Sequence, residues 1–157
     1  MNIFFDEHRK LIKDMLDEGV FFLLIGGYAV NYHGYNRSTG DMDIWLKPDN
    51  ENKERFIKAL AKNDIAPEDL EQLSQADFTH TIAFGAWEHP HKVDFLTKVS
   101  GISFDEAYRE RVEGLIEGLA MPFINLNHLV LSKTATGRAQ DKADIENLQE
   151  VQRKKEK

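Results

Sequence analysis

An apolar run that stops at two glycines, "LLIGG" (23–27), and a pair of aspartates one residue apart at the head of a second apolar run, "DMDIWL" (41–46), constrain this chain more than any other feature. "VFFLLI" (20–25) has the length and aromatic content of a buried strand. "DMDIWLK" (41–47), closed by Pro48, Asp49 and Asn50, reads as the next one. In a strand, residues i and i+2 point the same way about 7 Å apart, so Asp41 and Asp43 are expected to project together while Met42 and Ile44 turn to the opposite face. Burying two like charges side by side costs on the order of several kcal/mol, or raises one pKa strongly, unless a cation relieves the repulsion. Magnesium suits such oxygen donors and takes its remaining ligands from water and substrate phosphates. Asp94, mid-strand in "KVDFL" (92–96), is the candidate third carboxylate, with room for two metal ions among the three. Gly26 and Gly27, between a strand and a helix, let backbone N–H groups approach a phosphate closely.

The rest of the chain alternates helix and strand patterns. A helix is expected over residues 3–18, a brief one over "YAVNYH" closed by Gly34, another over 51–62, and loop with a short helix over 63–75. "FTHTIAF" (78–84) and "KVDFLTKV" (92–99) alternate as strands around the turn "GAWEHPH" (85–91). Ser103 and Glu106 form a capping box, a strand pair fits "GLIEGLAMPFI" (114–124), and two closing helices fill about 125–154, separated near Gly137. A chain of 157 residues in this mixed order, without repeats or linkers, predicts a single domain over 1–157. It has no apolar run of the ~18 residues that a membrane helix needs. The N-terminus lacks the pattern of a secretory signal and cysteine is absent, so a cytoplasmic protein is expected. The net charge of −7 gives the surface no general attraction for nucleic-acid backbones and argues against a large RNA as substrate.

Gly26-Gly27, thirteen intervening residues and Asp41-Met42-Asp43 resemble the signature of the nucleotidyltransferase fold superfamily: Gly-Gly or Gly-Ser, a spacer, then Asp-x-Asp or Asp-x-Glu. Within it, "GGYAVNYHGYNRSTGDMDIWL" is similar to the AbiEii toxin group and to small antibiotic nucleotidyltransferases, in which an Arg-x-Ser/Thr run precedes the acids as Arg37, Ser38 and Thr39 do here. "HLVLSKTATGRAQDKADIENL" resembles the AbiEii-type segment through Lys133, Arg138, Asp141 and Asp144. The resemblance implies an α/β (α+β) fold with a mixed, mainly antiparallel sheet of about five strands flanked by helices. It also implies transfer of a nucleoside monophosphate from Mg-NTP to a hydroxyl acceptor, with release of pyrophosphate. Asp41, Asp43 and Asp94 would be the metal-binding catalytic acids. Gly26, Gly27, Arg37, Thr39, Lys133 and Arg138 would hold the nucleotide. The acceptor is a small molecule, an RNA end or a protein side chain. Family members with a known acceptor usually carry a further helical domain, so a homodimer or partner subunit is expected to complete the site. The alternative is a catalytically silent binding or regulatory module, such as a toxin–antitoxin component.

Each residue also has a structural reading. Asp41 fits a turn at the start of a strand, Asp43 a salt bridge, and Asp94 an ion pair with Lys92 or His80. Lys133 and Arg138 fit an ordinary helix surface. His80, His89 and His91 suggest zinc less readily than a proline-containing turn. His33 fits a helix C-cap, and "RKKEK" (153–157) a solvated tail.

Overall fold

A computed structural model describes residues 5–36 and 40–156. Ile3 at the start of the first expected helix, and Arg37, Ser38 and Thr39, lie outside the described residues. Thirteen elements follow one another: α1 (Asp6–Asp17), β1 (Phe22–Ile25), α2 (Gly26–Tyr32), β2 (Met42–Leu46), α3 (Asn50–Leu60), α4 (Pro67–Gln75), β3 (Ala83–Ala86), β4 (Val93–Leu96), α5 (Phe104–Arg109), β5 (Val112–Ile116), β6 (Leu119–Phe123), α6 (Leu126–Thr136) and α7 (Ala139–Lys155). The strands form one mixed sheet in the order β3-β4-β2-β1-β6-β5. Pairs β1/β2, β3/β4 and β5/β6 are antiparallel, and β2/β4 and β1/β6 are parallel.

The sheet is mixed and mainly antiparallel as expected, but it has six strands rather than about five. The count of about five comes from the family resemblance; the six strands match the six runs read from the pattern, including the pair in 114–124 that forms the β5–β6 hairpin. Glu117 (φ 51°) and Gly118 (φ 83°) make a two-residue loop with both φ values positive, the conformation whose twist matches a tight hairpin. Gly114 leaves room for Tyr32, since a Cβ there would come within 2.6 Å of the ring, and Tyr32 stacks on Phe123 at 4.1 Å.

Two further boundaries differ. Residues 78–82 are not a strand; β3 begins at Ala83. The hydroxyl of buried Thr97 accepts from the Ile82 N–H (2.8 Å) and donates to the His80 carbonyl (2.8 Å), so that only the Thr97 N–H to Ile82 carbonyl bond (3.1 Å) continues the backbone ladder there. Asp77 and Asn50 hold the preceding turn by accepting from the Thr79 and Phe78 amides. At the C-terminus, α7 runs on to Lys155, so most of the expected tail is exposed final helix.

The two faces of the central strands do different work. Met42, Ile44, Val93 and Phe95 are buried, and Phe95 meets Phe56 of α3 with ring centroids 4.7 Å apart; α1 packs against α3 through the stripe Leu11, Ile12 and Met15. Asp43, Trp45, Asp94 and Leu96 alternate with them and face the other way, where Trp45 packs edge-on against Phe104 of α5 at 5.3 Å.

Buried Asn52, in the first turn of α3, joins the layers. Its Oδ1 accepts from the Phe21 N–H (2.8 Å), and its Nδ2 donates to the carbonyls of Phe21 (3.0 Å) and Lys47 (3.2 Å). The strand ends before β1 and after β2 therefore depend on one amide side chain. Asn52→Ala is expected to lower stability by about 2–3 kcal/mol, because buried backbone groups lose their partners. Urea unfolding should show this as a lower midpoint at unchanged slope.

Candidate active site

The sheet register builds the first half of the site. Asp43 stands opposite Ile25 across the antiparallel β1/β2 pair and beside Asp94 across the parallel β2/β4 pair. Burial pushes its carboxyl up to about 6, Asp94 and Asp41 add to the rise by like charge, and Lys133 and Arg138 offset part of it. Gly26 closes over this carboxylate. It has φ +65°, and a Cβ there would overlap Asp43 Oδ2 and lie 3.1 Å from Cγ. The glycine and the acid, far apart in sequence, thus occupy one place that admits no larger residue than glycine. Gly27 follows in α2, half-buried and outside the cavity lining described below.

Of the other two acids, Asp94 is on a strand as expected and Asp41 is not. Asp41 precedes β2 in a bend, with Oδ1 3.4 Å from His89 Nδ1. Asp94 is on β4, but its side chain is 37 % exposed and 3.3 Å from Lys92 Nζ. Among the described residues, no three His, Cys, Asp or Glu side chains are gathered closely enough to make a metal-ligand group. His80 pairs with Asp77 at 3.3 Å and His91 lies 3.8 Å from Glu7, so the histidines are separate and the turn reading describes them. His33 is the C-cap of α2; its ring bonds the Ile124 carbonyl at 2.7 Å, and burial lowers its pKa.

The second half comes from the corner between α6 and α7. Asn125 caps α6 by accepting from the His128 N–H, and Gly137 ends it in the left-handed conformation, φ +64°. The chain turns back there, so Lys133 and Arg138 reach one region although their spacing does not put them on one helix face. Lys133 is buried, 3.3 Å from Asp141 and 3.0 Å from Asp144, both themselves buried. Arg138 grips Asp141 with Nε at 2.8 Å and Nη2 at 3.3 Å, and Thr136 donates to the same carboxylate at 2.6 Å. Burial alone would raise the Asp141 pKa, but the bonds from Arg138 and Thr136 and the charge of Lys133 hold it well below the usual carboxylate range.

The halves enclose a cavity of about 300 Å³ whose lining includes Gly26 and Asp43 from the first, and Lys133, Thr136, Arg138 and Asp141 from the second. Lys98 and Ser100 from the loop after β4, and Ser132 of α6, also line it and carry no motif. The signal that could have found Lys98 and Ser100 is their position directly beyond the strand that bears Asp94. Asp94 itself is not in the lining and opens toward solvent.

Over residues 3–153 the sequence matches the family described as "Nucleotidyltransferase of unknown function (DUF6036)". The chain belongs to this family. No functionally curated protein matches it at a significant level. Two solved structures share the fold of this DUF6036 nucleotidyltransferase. The Thermotoga maritima protein TM1012, assigned as a nucleotidyltransferase, superposes with a TM-score of 0.59 at 11 % identity, covering 91 % of this chain and 90 % of its own. The lincosamide antibiotic adenylyltransferase LnuA, in its lincomycin-bound form, gives 0.56 at 15 % identity, covering 95 % and 98 %. The superfamily expected from the motifs is therefore the correct one, and the fold at these identities is what the two neighbours establish.

A buried carboxyl raised to about 6 opposes folding once it ionises. Both states are protonated below the unfolded value near 3.8, so the penalty is absent there, grows as pH rises toward 6, and is complete above it. In metal-free protein, Asp43→Asn should stabilise the fold at pH 8 by about 1–3 kcal/mol, and the difference from wild type should vanish near pH 3.5. Chemical denaturation of both proteins at the two pH values checks it.

Proposed function

We propose that this nucleotidyltransferase moves a nucleoside monophosphate from a magnesium-bound nucleoside triphosphate onto a hydroxyl of its acceptor, with release of pyrophosphate. One observation carries the reading: Asp43, held at raised pKa beside Asp94, shares a cavity of about 300 Å³ with Gly26 and the Arg138-bearing corner. A carboxylate destabilised by burial and like charge gains from a cation. The donors are all carboxylate oxygens, the class magnesium prefers, and a magnesium ion that arrives with a triphosphate needs only one or two of them. The site fits that mode of binding, in which phosphates complete the ligand set, better than a closed protein cage.

Asp43 and Asp94 would hold the metal, with Asp41 joining them on leaving His89. Once bound, magnesium would neutralise phosphate charge and polarise the phosphoryl oxygens. Gly26, whose missing side chain makes room for the Asp43 carboxylate, would offer its backbone to the phosphates from the cavity wall. Arg138, three-quarters exposed and gripping Asp141 through Nε and Nη2, presents the rest of its planar fork to the cavity. Arg37, Thr39 and Gly27 extend the nucleotide-binding set on the ground of the motif. Asp94, open to solvent, lies where the acceptor would approach and takes the hydroxyl proton on its carboxylate. The hydroxyl oxygen then bonds to the α-phosphorus, and the bond to the bridging oxygen breaks so that pyrophosphate leaves with the electron pair. Positioning and charge neutralisation supply most of the rate in such a reaction.

The cavity of about 300 Å³ is at the small end of the range for ligand sites. The acceptor would sit on its open side, beside Asp94, against a second copy, a partner subunit or solvent. LnuA, an antibiotic adenylyltransferase almost wholly covered by this fold, supports a small-molecule acceptor, and the net charge of −7 disfavours a polyanion. Nucleotide supply places the reaction in the cytoplasm.

Titration calorimetry with each Mg-NTP should show metal-dependent binding of at least one. Since Asp43 must be deprotonated to bind metal, affinity should rise about tenfold from pH 5 to pH 7 and then level off. With α-labelled nucleotide and cell extract, Asp43→Asn should cut label transfer by about 10²-fold or more. A wild-type protein that binds none of the four nucleotides refutes the reading and favours the silent regulatory module.

A further inference from the structure

Three cations line the cavity, and they are not equivalent. Lys133 faces two buried carboxylates, and Arg138 shares one of them. Lys133 is held between those two carboxylates, and Nε and Nη2 of Arg138 are taken up by Asp141. Asp43 adds a carboxylate to the same wall. Lys98 is the third cation, and it has no ion pair and no hydrogen bond among the described residues.

Most exposed lysines are solvated surface residues on flexible stems. The backbone under Lys98 is fixed instead. Thr97 is 4 % exposed; its hydroxyl is bonded on both sides, to the Ile82 amide and the His80 carbonyl, and its carbonyl accepts from Trp45 Nε1 at 3.3 Å. Trp45 is itself fully buried against Phe104. A backbone anchored at the preceding residue, a side chain on the cavity wall and a charge that no carboxylate among the described residues cancels occur together at this one position.

We propose that Lys98 binds the triphosphate chain of the incoming nucleotide. The inference rests on the reading of the cavity as a nucleotide site, and it assigns the uncompensated positive charge of that site to a residue outside every motif. Lys133, by contrast, is spent on holding the α6–α7 corner in place. An ammonium acts on phosphate as a point charge that an arginine can replace and a neutral amide cannot.

Magnesium tripolyphosphate is a probe of this contact that does not depend on base preference, with the tightest-binding Mg-NTP and its monophosphate as second probes. Titration calorimetry should show Lys98→Gln weakening tripolyphosphate and NTP binding by about tenfold or more, and Lys98→Arg by less than about threefold. Monophosphate affinity should fall by less than about threefold. Because Lys98 is exposed and unpaired, the Lys98→Gln protein should melt at the wild-type temperature, which separates a lost contact from a damaged fold. Undiminished binding of tripolyphosphate and NTP by Lys98→Gln overturns the proposal alone, as does an equal loss for monophosphate and triphosphate. A wild-type protein that binds neither tripolyphosphate nor any Mg-NTP overturns the nucleotide site and this proposal with it.

Discussion

The carboxylate of Asp43 is the constraint around which the rest of the molecule is arranged. It lies on β2, one of the two central strands of the six, between β1 and β4, with Asp94 beside it and Gly26 closed over it. Neither sheet register can slip by one residue without turning this acid into the core and a core residue outward. Its cost is met on the opposite face of the same strands, where Met42, Ile44, Val93 and Phe95 are buried and Phe95 meets Phe56 of α3. Each large apolar side chain fully buried there contributes about 1.5–3 kcal/mol, so a few of them outweigh one misplaced charge.

The α6–α7 corner solves a different problem. Lys133, Asp141 and Asp144 are buried charges, and such groups stabilise little relative to apolar packing once desolvation is counted. What they fix is geometry. Two aspartates from the first turns of α7 hold one lysine near the end of α6, and the left-handed Gly137 lets the helices fold back on each other. A corner held this way shares the cavity with Asp43 and keeps Arg138 and Thr136 fixed on Asp141, which lowers the ordering cost when a ligand arrives.

Patterns with a local cause were legible. Both apolar runs became β1 and β2, Ser103 and Asn125 start helices by accepting from the amides of Glu106 and His128, and Gly137 divides the closing helices. Patterns that depend on a distant partner misled. Residues 78–82 alternate like a strand, yet the Thr97 hydroxyl takes the Ile82 amide and the His80 carbonyl, and the ladder ends at one Thr97–Ile82 backbone bond. Gly114 reads as a weak strand position until Tyr32 is seen to need its space. Asp41 reads as strand and is a bend held near His89.

By itself the sequence determined the fold class, the superfamily and a set of three candidate acids that includes Asp43, because strand alternation, glycine at a strand–helix junction and paired carboxylates are local chemistry written in adjacent residues. Only the tertiary structure decided which groups meet. Gly26 proved to be sterically tied to Asp43, Lys133 to be committed to Asp141 and Asp144, and Lys98 to be the cavity cation without a carboxylate. Those distinctions depend on burial and on charge partners brought from far along the chain, and no spacing within a motif records them.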